Sequence, residues 1–259
     1  MLGSYEVFKQ SIYGLTKIDL NSYKERQMKR RIEALISKHG ITSFSEYFEK
    51  LKTDKAAFEE FINYITINVS EFYRNPEQWT LLEQEILPYL FDNFGRNLKI
   101  WSAACSTGDE PYSLAMLLLK MLPHNKIKIY ATDIDKLVME KAKIGLYHEK
   151  SLKSLPEEFL KKYFTKVNDR TYQISDVVKD CVEFNQHDLL KDSYPKDCDI
   201  IICRNVLIYF TDDAKNQIYK KFNQSLKNGG LLFVGSTEQI IQAQQLNFHN
   251  FKSFFYKKI

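Results

Sequence analysis

Glycine and proline are both scarce in this 259-residue chain, at 9 and 6 residues. That excludes collagen-like repeats and Pro/Gly-rich disordered segments. Cysteine is rarer still. Cys105, Cys181, Cys198 and Cys203 form no C-x-x-C pair, and no histidine stands at zinc-like spacing. They read as small, reduced, buried side chains, and no metal centre is expected. There is no apolar run of 18 residues and no signal peptide pattern, so a soluble cytoplasmic protein is the expectation, with no direct membrane insertion. Charge of one sign is also lacking: the formal net charge is only +4. Such a small excess does not argue for nucleic acid, where a focused patch matters more than the total.

What is present is apolar and aromatic, at 44% and 14%, enough for a sizeable core. Two patterns divide it. Residues 1–67 read as all helix. Met28, Ile32, Leu35 and Ile36 fall on one helical face. Phe44, Tyr47, Phe48 and Leu51 repeat at i, i+3, i+4, i+7, behind a capping box of Ser43 and Glu46. Phe58, Phe61, Ile62 and Ile65 give a third stripe. From residue 68 to 259 the pattern changes. A connecting segment, 68–90, contains a helix start at Asn75-Pro76. Short apolar runs at 98–103, 127–132, 182–185, 199–203, 231–235 and 253–256 then alternate with helical patterns. This is the signature of an α/β fold, a parallel sheet wound with helices on both faces. One stretch breaks the alternation: residues 163–181 carry short strand-like pieces around Asn168-Asp169 and read as a small antiparallel insertion.

Ligands in such folds sit at the carboxyl ends of the strands. The first run ends in "SAACSTGDEPYSLA", a strand, a turn of small residues and a helix start. It holds one glycine, Gly108, where a dinucleotide fingerprint wants three. Asp109 and Glu110 follow, and two carboxylates there repel a pyrophosphate. They suit a ligand carrying a cation, although acids at a helix N-terminus also serve the helix dipole alone. The second run ends in "ATDID". Asp133 is placed to accept from ribose hydroxyls, and Asp135 to cap the next helix. "FNQHDLL" puts Asp188 where an adenine amino group could donate to it. Together these features suit S-adenosylmethionine better than NAD.

"SAACSTGDEPYSLA", "ATDID" and "CRNVLIYF", with "ITINVSEFYRNPEQW" between the two parts, resemble the CheR family of chemotaxis receptor methyltransferases. The likeness runs from about residue 5 to the end. It implies a small all-helical receptor-docking domain before a Rossmann-like methyltransferase domain with a short β-subdomain. It implies methyl transfer from S-adenosylmethionine to glutamate side chains of chemoreceptors, leaving S-adenosylhomocysteine. By motif match, Asn68, Ser70 and Arg74 reach the cofactor from the connecting segment, Glu110 takes its amino group and Asp133 its ribose. Asp188 and Leu189 border the adenine. Arg204, Asn205 and Tyr209 lie beside the transferred methyl, with Arg204 and Asn205 also contacting the cofactor and Arg204 and Tyr209 as the catalytic pair. The sequence departs from the family at "GDE", where "GEE" is common, and at Ser70, where threonine is frequent.

The residues fit that chemistry independently. A glutamate is ionised at neutral pH, so its oxygen is already a nucleophile and no general base is needed. Enzymes that methylate exocyclic amines of bases often carry a Pro-Pro turn after the fourth strand. Here that position reads "CRNVLIYF", with an arginine and a tyrosine able to bond an anion. Bland readings stand beside these: Arg204 in a surface ion pair, and Arg74 pairing with Glu71 or Glu77. "YKERQMKRRIEALISK" presents Arg26, Lys29, Arg30 and Arg31 around its apolar stripe. It is either a solvated face or a docking surface for glutamate-bearing receptor helices. A nucleic-acid methyltransferase and a non-catalytic S-adenosylmethionine-sensing adaptor are the competing functions.

Overall fold

The computed structural model describes residues 4–259. It divides into two compact units: the described residues up to Asn68 with Ile208–Asn216, and Val69–Leu207 with Gln217–Ile259.

The first unit is built on α1 (Tyr5–Thr16), α2 (Glu25–Lys38), α3 (Phe44–Thr53) and α4 (Lys55–Thr66). The caps follow the sequence: the Ser43 side chain accepts from the Glu46 N–H and the Asp54 side chain from that of Ala57. Each replaces a hydrogen bond that the first turn of a helix lacks. Met28, Ile32, Leu35 and Ile36 are buried, as their spacing requires. The stripe on α4 is turned by one residue, with Ala57, Phe61 and Ile65 buried and Phe58 and Ile62 half-buried. Phe8, Phe44, Tyr47 and Phe61 pack their rings together in the middle. The segment 208–216 joins this unit through a strand-like bridge between Tyr23 and Phe210, whose rings stack at 4.7 Å.

The second unit opens with α5 (Pro76–Leu81) and α6 (Leu87–Phe94), joined by a wide π turn over Leu82–Ile86. The Leu87 N–H reaches back five residues to the Leu82 carbonyl. Pro88 explains the widening, because its ring has no N–H and would collide with the carbonyl four residues back. The strands are β1 (Ile100–Ala103), β2 (Ile129–Asp133), β3 (Leu146–His148), β4 (Phe164–Asn168), β5 (Thr171–Ile174), β6 (Val182–Gln186), β7 (Cys198–Cys203), β8 (Leu226–Val234), β9 (Phe248–Lys252) and β10 (Phe255–Lys258). Between them run α7 (Asp109–Leu118), α8 (Lys136–Ile144), α9 (Glu157–Tyr163), α10 (Asp176–Lys179) and α11 (Asp212–Ser225).

Seven strands form one sheet in the order β6-β2-β1-β7-β8-β10-β9. Its first five members are parallel. The sheet is not parallel throughout, because β10 runs antiparallel to both β8 and β9. β9 itself runs parallel to β8 after a longer connection, and β10 follows it after only two residues, too few for a parallel crossover, so it turns back between them. The insertion is a separate sheet in the order β3-β5-β4. Its third strand comes from Leu146–His148, before the stretch that the sequence marks.

β1 shows how the sheet divides the core. Ile100 belongs to a cluster with Trp79, Leu82, Ile86, Leu117, Ile129 and Phe233. Trp101, the next residue, meets Tyr194 and Phe222 edge-on. Alternate side chains therefore feed opposite layers. Strand order reverses between β1 and β7, since the chain goes from β1 outward to β2 and β6, then returns to β7. The crevice at the carboxyl ends of these two strands is the ligand position of such folds. Among the described residues, no helix is long and apolar enough to cross a membrane, and no group of three or more His, Cys, Asp or Glu could hold a metal ion.

Candidate functional site

The turn after β1 is strained. Ala104, Ser106 and Gly108 all have positive φ, at 68, 48 and 86°. Only one of the three is glycine, and a left-handed L-residue costs about 1–2 kcal/mol. The turn is held by backbone bonds: Cys105 N–H to the Thr132 carbonyl at 2.8 Å and Ser106 N–H to Asp133 Oδ2 at 2.8 Å. Gly108 has a second reason to be glycine. A Cβ there would stand 2.9 Å from Ala142 Cβ and 3.0 Å from the Tyr112 ring. Gly108→Ala is therefore expected to lower stability by about 2–4 kcal/mol, from left-handed strain plus overpacking. Urea denaturation checks this; a change under about 0.5 kcal/mol would contradict it.

α7 begins directly after this turn and carries two acids inward. Asp109 is 1% exposed and accepts from Thr107 Oγ1 at 2.5 Å and from the Ser70 hydroxyl. Burial outweighs these bonds and pushes its pKa up to about 6. Glu110 accepts from Ser102 Oγ at 2.8 Å. Burial raises its pKa to about 7, against the opposing pull of Arg204. Asp133, at the end of β2, accepts from the backbone N–H groups of Ser106 and Asp135, yet burial raises it to about 6. Asp135 caps α8 through the Leu137 N–H.

Arg204, at the end of β7, is 7% exposed. Its Nη2 donates to Gln78 Oε1 at 2.6 Å, to the Arg74 carbonyl at 2.8 Å and to Asn75 Oδ1 at 3.2 Å. Its Nη1 stands 3.9 Å from Glu110 Oε2, and its guanidinium carbon lies 4.7 Å from the Phe233 ring centre. Arg204 is thus a buried cation built into the core. It is not a surface ion pair. Asn75 serves it directly: its side chain makes no cap bond to α5.

These residues gather Ser70, Arg74, Glu110, Asp133, Arg204 and Asn205 within the second unit. Arg74 is half-buried and donates to the Val69 carbonyl at 3.4 Å, while its own carbonyl serves Arg204 and the Trp79 indole. Asp188 folds back on its own turn, accepting from the Leu190 N–H at 2.8 Å. Leu189 is buried, and its carbonyl accepts from the Tyr194 hydroxyl. Asn68 and Tyr209 belong to the first unit. There Asn68 bonds Thr66, and the Tyr209 carbonyl accepts from the Lys24 N–H. On α2, Arg26 and Arg30 are exposed. Arg31 donates to the Tyr64 carbonyl at 2.6 Å with its guanidinium over the Tyr64 ring, and the Lys29 ammonium lies over Tyr5.

Two site residues are not legible in the sequence. Gln78 sits in the first turn of α5, where an amide usually faces solvent. Glu238 lies in the loop after β8, where "STEQ" reads as an ordinary turn. Nothing local marks either; each is defined by a partner more than 30 residues away.

A carboxylate that burial has raised to about 7 is held in its charged form by a cation placed beside it. Ser106 Oγ, Gln78 Nε2 and Arg204 Nε are buried without a hydrogen-bond partner, and such groups fit a polar ligand. A Rossmann-like sheet with such a seat at its switch point defines the class of S-adenosylmethionine-dependent methyltransferases. Residues 68–255 match the family described as CheR methyltransferase, SAM binding domain, and residues 3–66 match CheR methyltransferase, all-alpha domain. The chain belongs to the CheR methyltransferase family, and S-adenosylmethionine is its cofactor. A chemotaxis protein methyltransferase of Listeria monocytogenes is 44% identical, covering 93% of this chain and 92% of that one. Another, from Borreliella burgdorferi, is 34% identical over 88% and 85%. Among solved structures, a TehB-like SAM-dependent methyltransferase from Corynebacterium glutamicum aligns at a TM-score of 0.40 and 15% identity, covering 71% of this chain and 96% of that one.

Proposed function

We propose that this enzyme esterifies glutamate side chains of chemoreceptors in chemotactic adaptation. The observation that carries this reading is the largely buried pair of Arg204, just after β7, and Glu110, in the first turn of α7. It sets an anion for a cationic cofactor beside a cation for an anionic acceptor. The names of the relatives, chemotaxis protein methyltransferases, support the receptor as substrate.

The cofactor supplies an electrophilic methyl group on a sulfonium. The residues of this chain would hold and orient. Glu110 takes the amino group, Asp133 the ribose, and Asp188 with Leu189 the adenine edge. Arg204 orients the acceptor carboxylate without quenching it, because three of its contacts already go to Gln78, Arg74 and Asn75. The acceptor is ionised at neutral pH, so the site needs alignment and exclusion of water more than proton transfer. Peptide mapping of methylated receptor fragments tests the acceptor. A mass increase of one methylene is expected on glutamates. The same increase on lysine, or on RNA or DNA and no protein, would contradict the reading.

The exposed Arg26 and Arg30 of α2 are proposed to meet the acidic receptor helix, while Arg31 and Lys29 hold the helical unit together. Arg26→Glu with Arg30→Glu is expected to raise KM for receptor about tenfold at low salt, since each exposed charge contact contributes about 0.2–1 kcal/mol. Cofactor affinity stays unchanged. Equal losses of both would make α2 purely structural.

A further inference from the structure

Arg204 and Asn205 stand on a turn whose backbone is left-handed at Asn205, with φ of 61°. One side chain from another strand end holds that turn. Glu238, 5% exposed, accepts the N–H of Asn205 on Oε2 at 2.5 Å and the N–H of Leu207 on Oε1 at 2.7 Å. Its Oε2 also takes the Gly235 N–H at 2.8 Å. Three backbone donors converge on one carboxylate, tying the end of β7 to the end of β8.

Gly235 reports the same contact independently. A Cβ there would lie 2.5 Å from Glu238 Oε2 and 2.9 Å from both the Asn205 backbone nitrogen and its Nδ2. Its φ is not in the left-handed range, so close approach and not backbone conformation requires glycine here.

We propose that Glu238 is a positioning residue for methyl transfer: it fixes the 204–207 turn so that Arg204 is held at both ends. The guanidinium end is fixed by Gln78, Asn75 and the Arg74 carbonyl. The backbone end is fixed by Glu238. Only a carboxylate suits three N–H donors, because both oxygens accept. A glutamine offers one oxygen, and its NH₂ would face an N–H. The consequence for catalysis rests on the proposed role of Arg204, since a displacement of about 1 Å at a reacting site can cost about a hundredfold in rate.

The test combines amide hydrogen exchange with kinetics, on the whole chain. In the wild type, the amides of Asn205, Leu207 and Gly235 are expected to exchange slowly. In Glu238→Gln they exchange faster, kcat on receptor fragments falls about tenfold to a hundredfold, and the Kd for S-adenosylhomocysteine stays within about threefold. Gly235→Ala, which pushes the carboxylate aside by one methyl group, is expected to reproduce this pattern and serves alone if Glu238→Gln does not fold. Faster exchange with normal kcat would overturn the positioning role. So would a loss of affinity as large as the loss of kcat. A wild type inactive on receptor fragments would count against the substrate; the exchange rates would still decide the clamp, and wild-type amides that exchange as fast as the variant's would refute it.

Discussion

Replacing Glu110 by glutamine is expected to weaken S-adenosylmethionine binding by about 30- to 5,000-fold while making the ligand-free protein more stable at pH 8. The first effect is the loss of one partner of a buried charge pair, about 2–5 kcal/mol. The second follows from linkage. Burial raises the Glu110 pKa from 4.5 to about 7, so the folded state holds its proton more tightly than the unfolded chain. For a carboxyl shifted upward, the associated stability is complete below pH 4.5 and is lost as the pH rises to about 7. The loss is at most about 3 kcal/mol. Glutamine imitates the protonated form at every pH. Asp109 and Asp133, each raised to about 6, act in the same direction. Ligand-free wild type should therefore melt at progressively lower temperature from pH 5 to pH 7.5, and Glu110→Gln should flatten part of that slope. Thermal melts at both pH values, with titration calorimetry for the cofactor, measure both effects. Wild-type affinity in the variant would contradict the assignment of Glu110.

Arg204→Ala is expected to have the larger structural effect. It removes a buried cation from Gln78, Asn75 and the Arg74 carbonyl and leaves Glu110 without a counter-charge. Leaving those buried acceptors without their donor costs about 1–3 kcal/mol each. Arg204 opposes the burial of Glu110, so its removal moves the Glu110 pKa above about 7. Cofactor binding should then need a more alkaline medium than in the wild type, where affinity falls as the pH drops below about 7. Turnover is expected to fall at least a hundredfold, because the acceptor is no longer aligned. Arg204→Lys keeps the charge but not the planar fork, so it should restore the pH midpoint better than the turnover. Normal turnover in Arg204→Ala would remove Arg204 from the site.

The parts of the fold that were legible in the sequence are those set by local periodicity. The helical stripes around Ile32 and Phe61, the cap at Ser43 and the buried parallel strands all follow from spacing and composition. What was missed depends on partners far along the chain. β3 has three residues, two of them exposed, and only its pairing with β5 makes it a strand. β9 is largely exposed, so its sequence FHNFK has no continuous apolar run. At the site, the acids after β1 and β2 were visible because strand ends in α/β sheets are predictable ligand positions. Gln78 and Glu238 were not, because an amide on a helix and an acid in a loop are ordinary until Arg204 and three backbone donors are brought to them. The single glycine of the first turn is now understood: Ala104 and Ser106 take left-handed conformations that a dinucleotide fold would give to glycine, while Gly108 clears Ala142 and Tyr112.

The central claim is that a carboxylate accepts the methyl group. It is tested most directly by transferring labelled methyl from S-adenosylmethionine to chemoreceptor cytoplasmic fragments and treating the product with mild alkali. A glutamate ester releases the label as methanol, and that is the expected result. Label that is incorporated but survives alkali would mean a stable N-methyl linkage and would contradict the account.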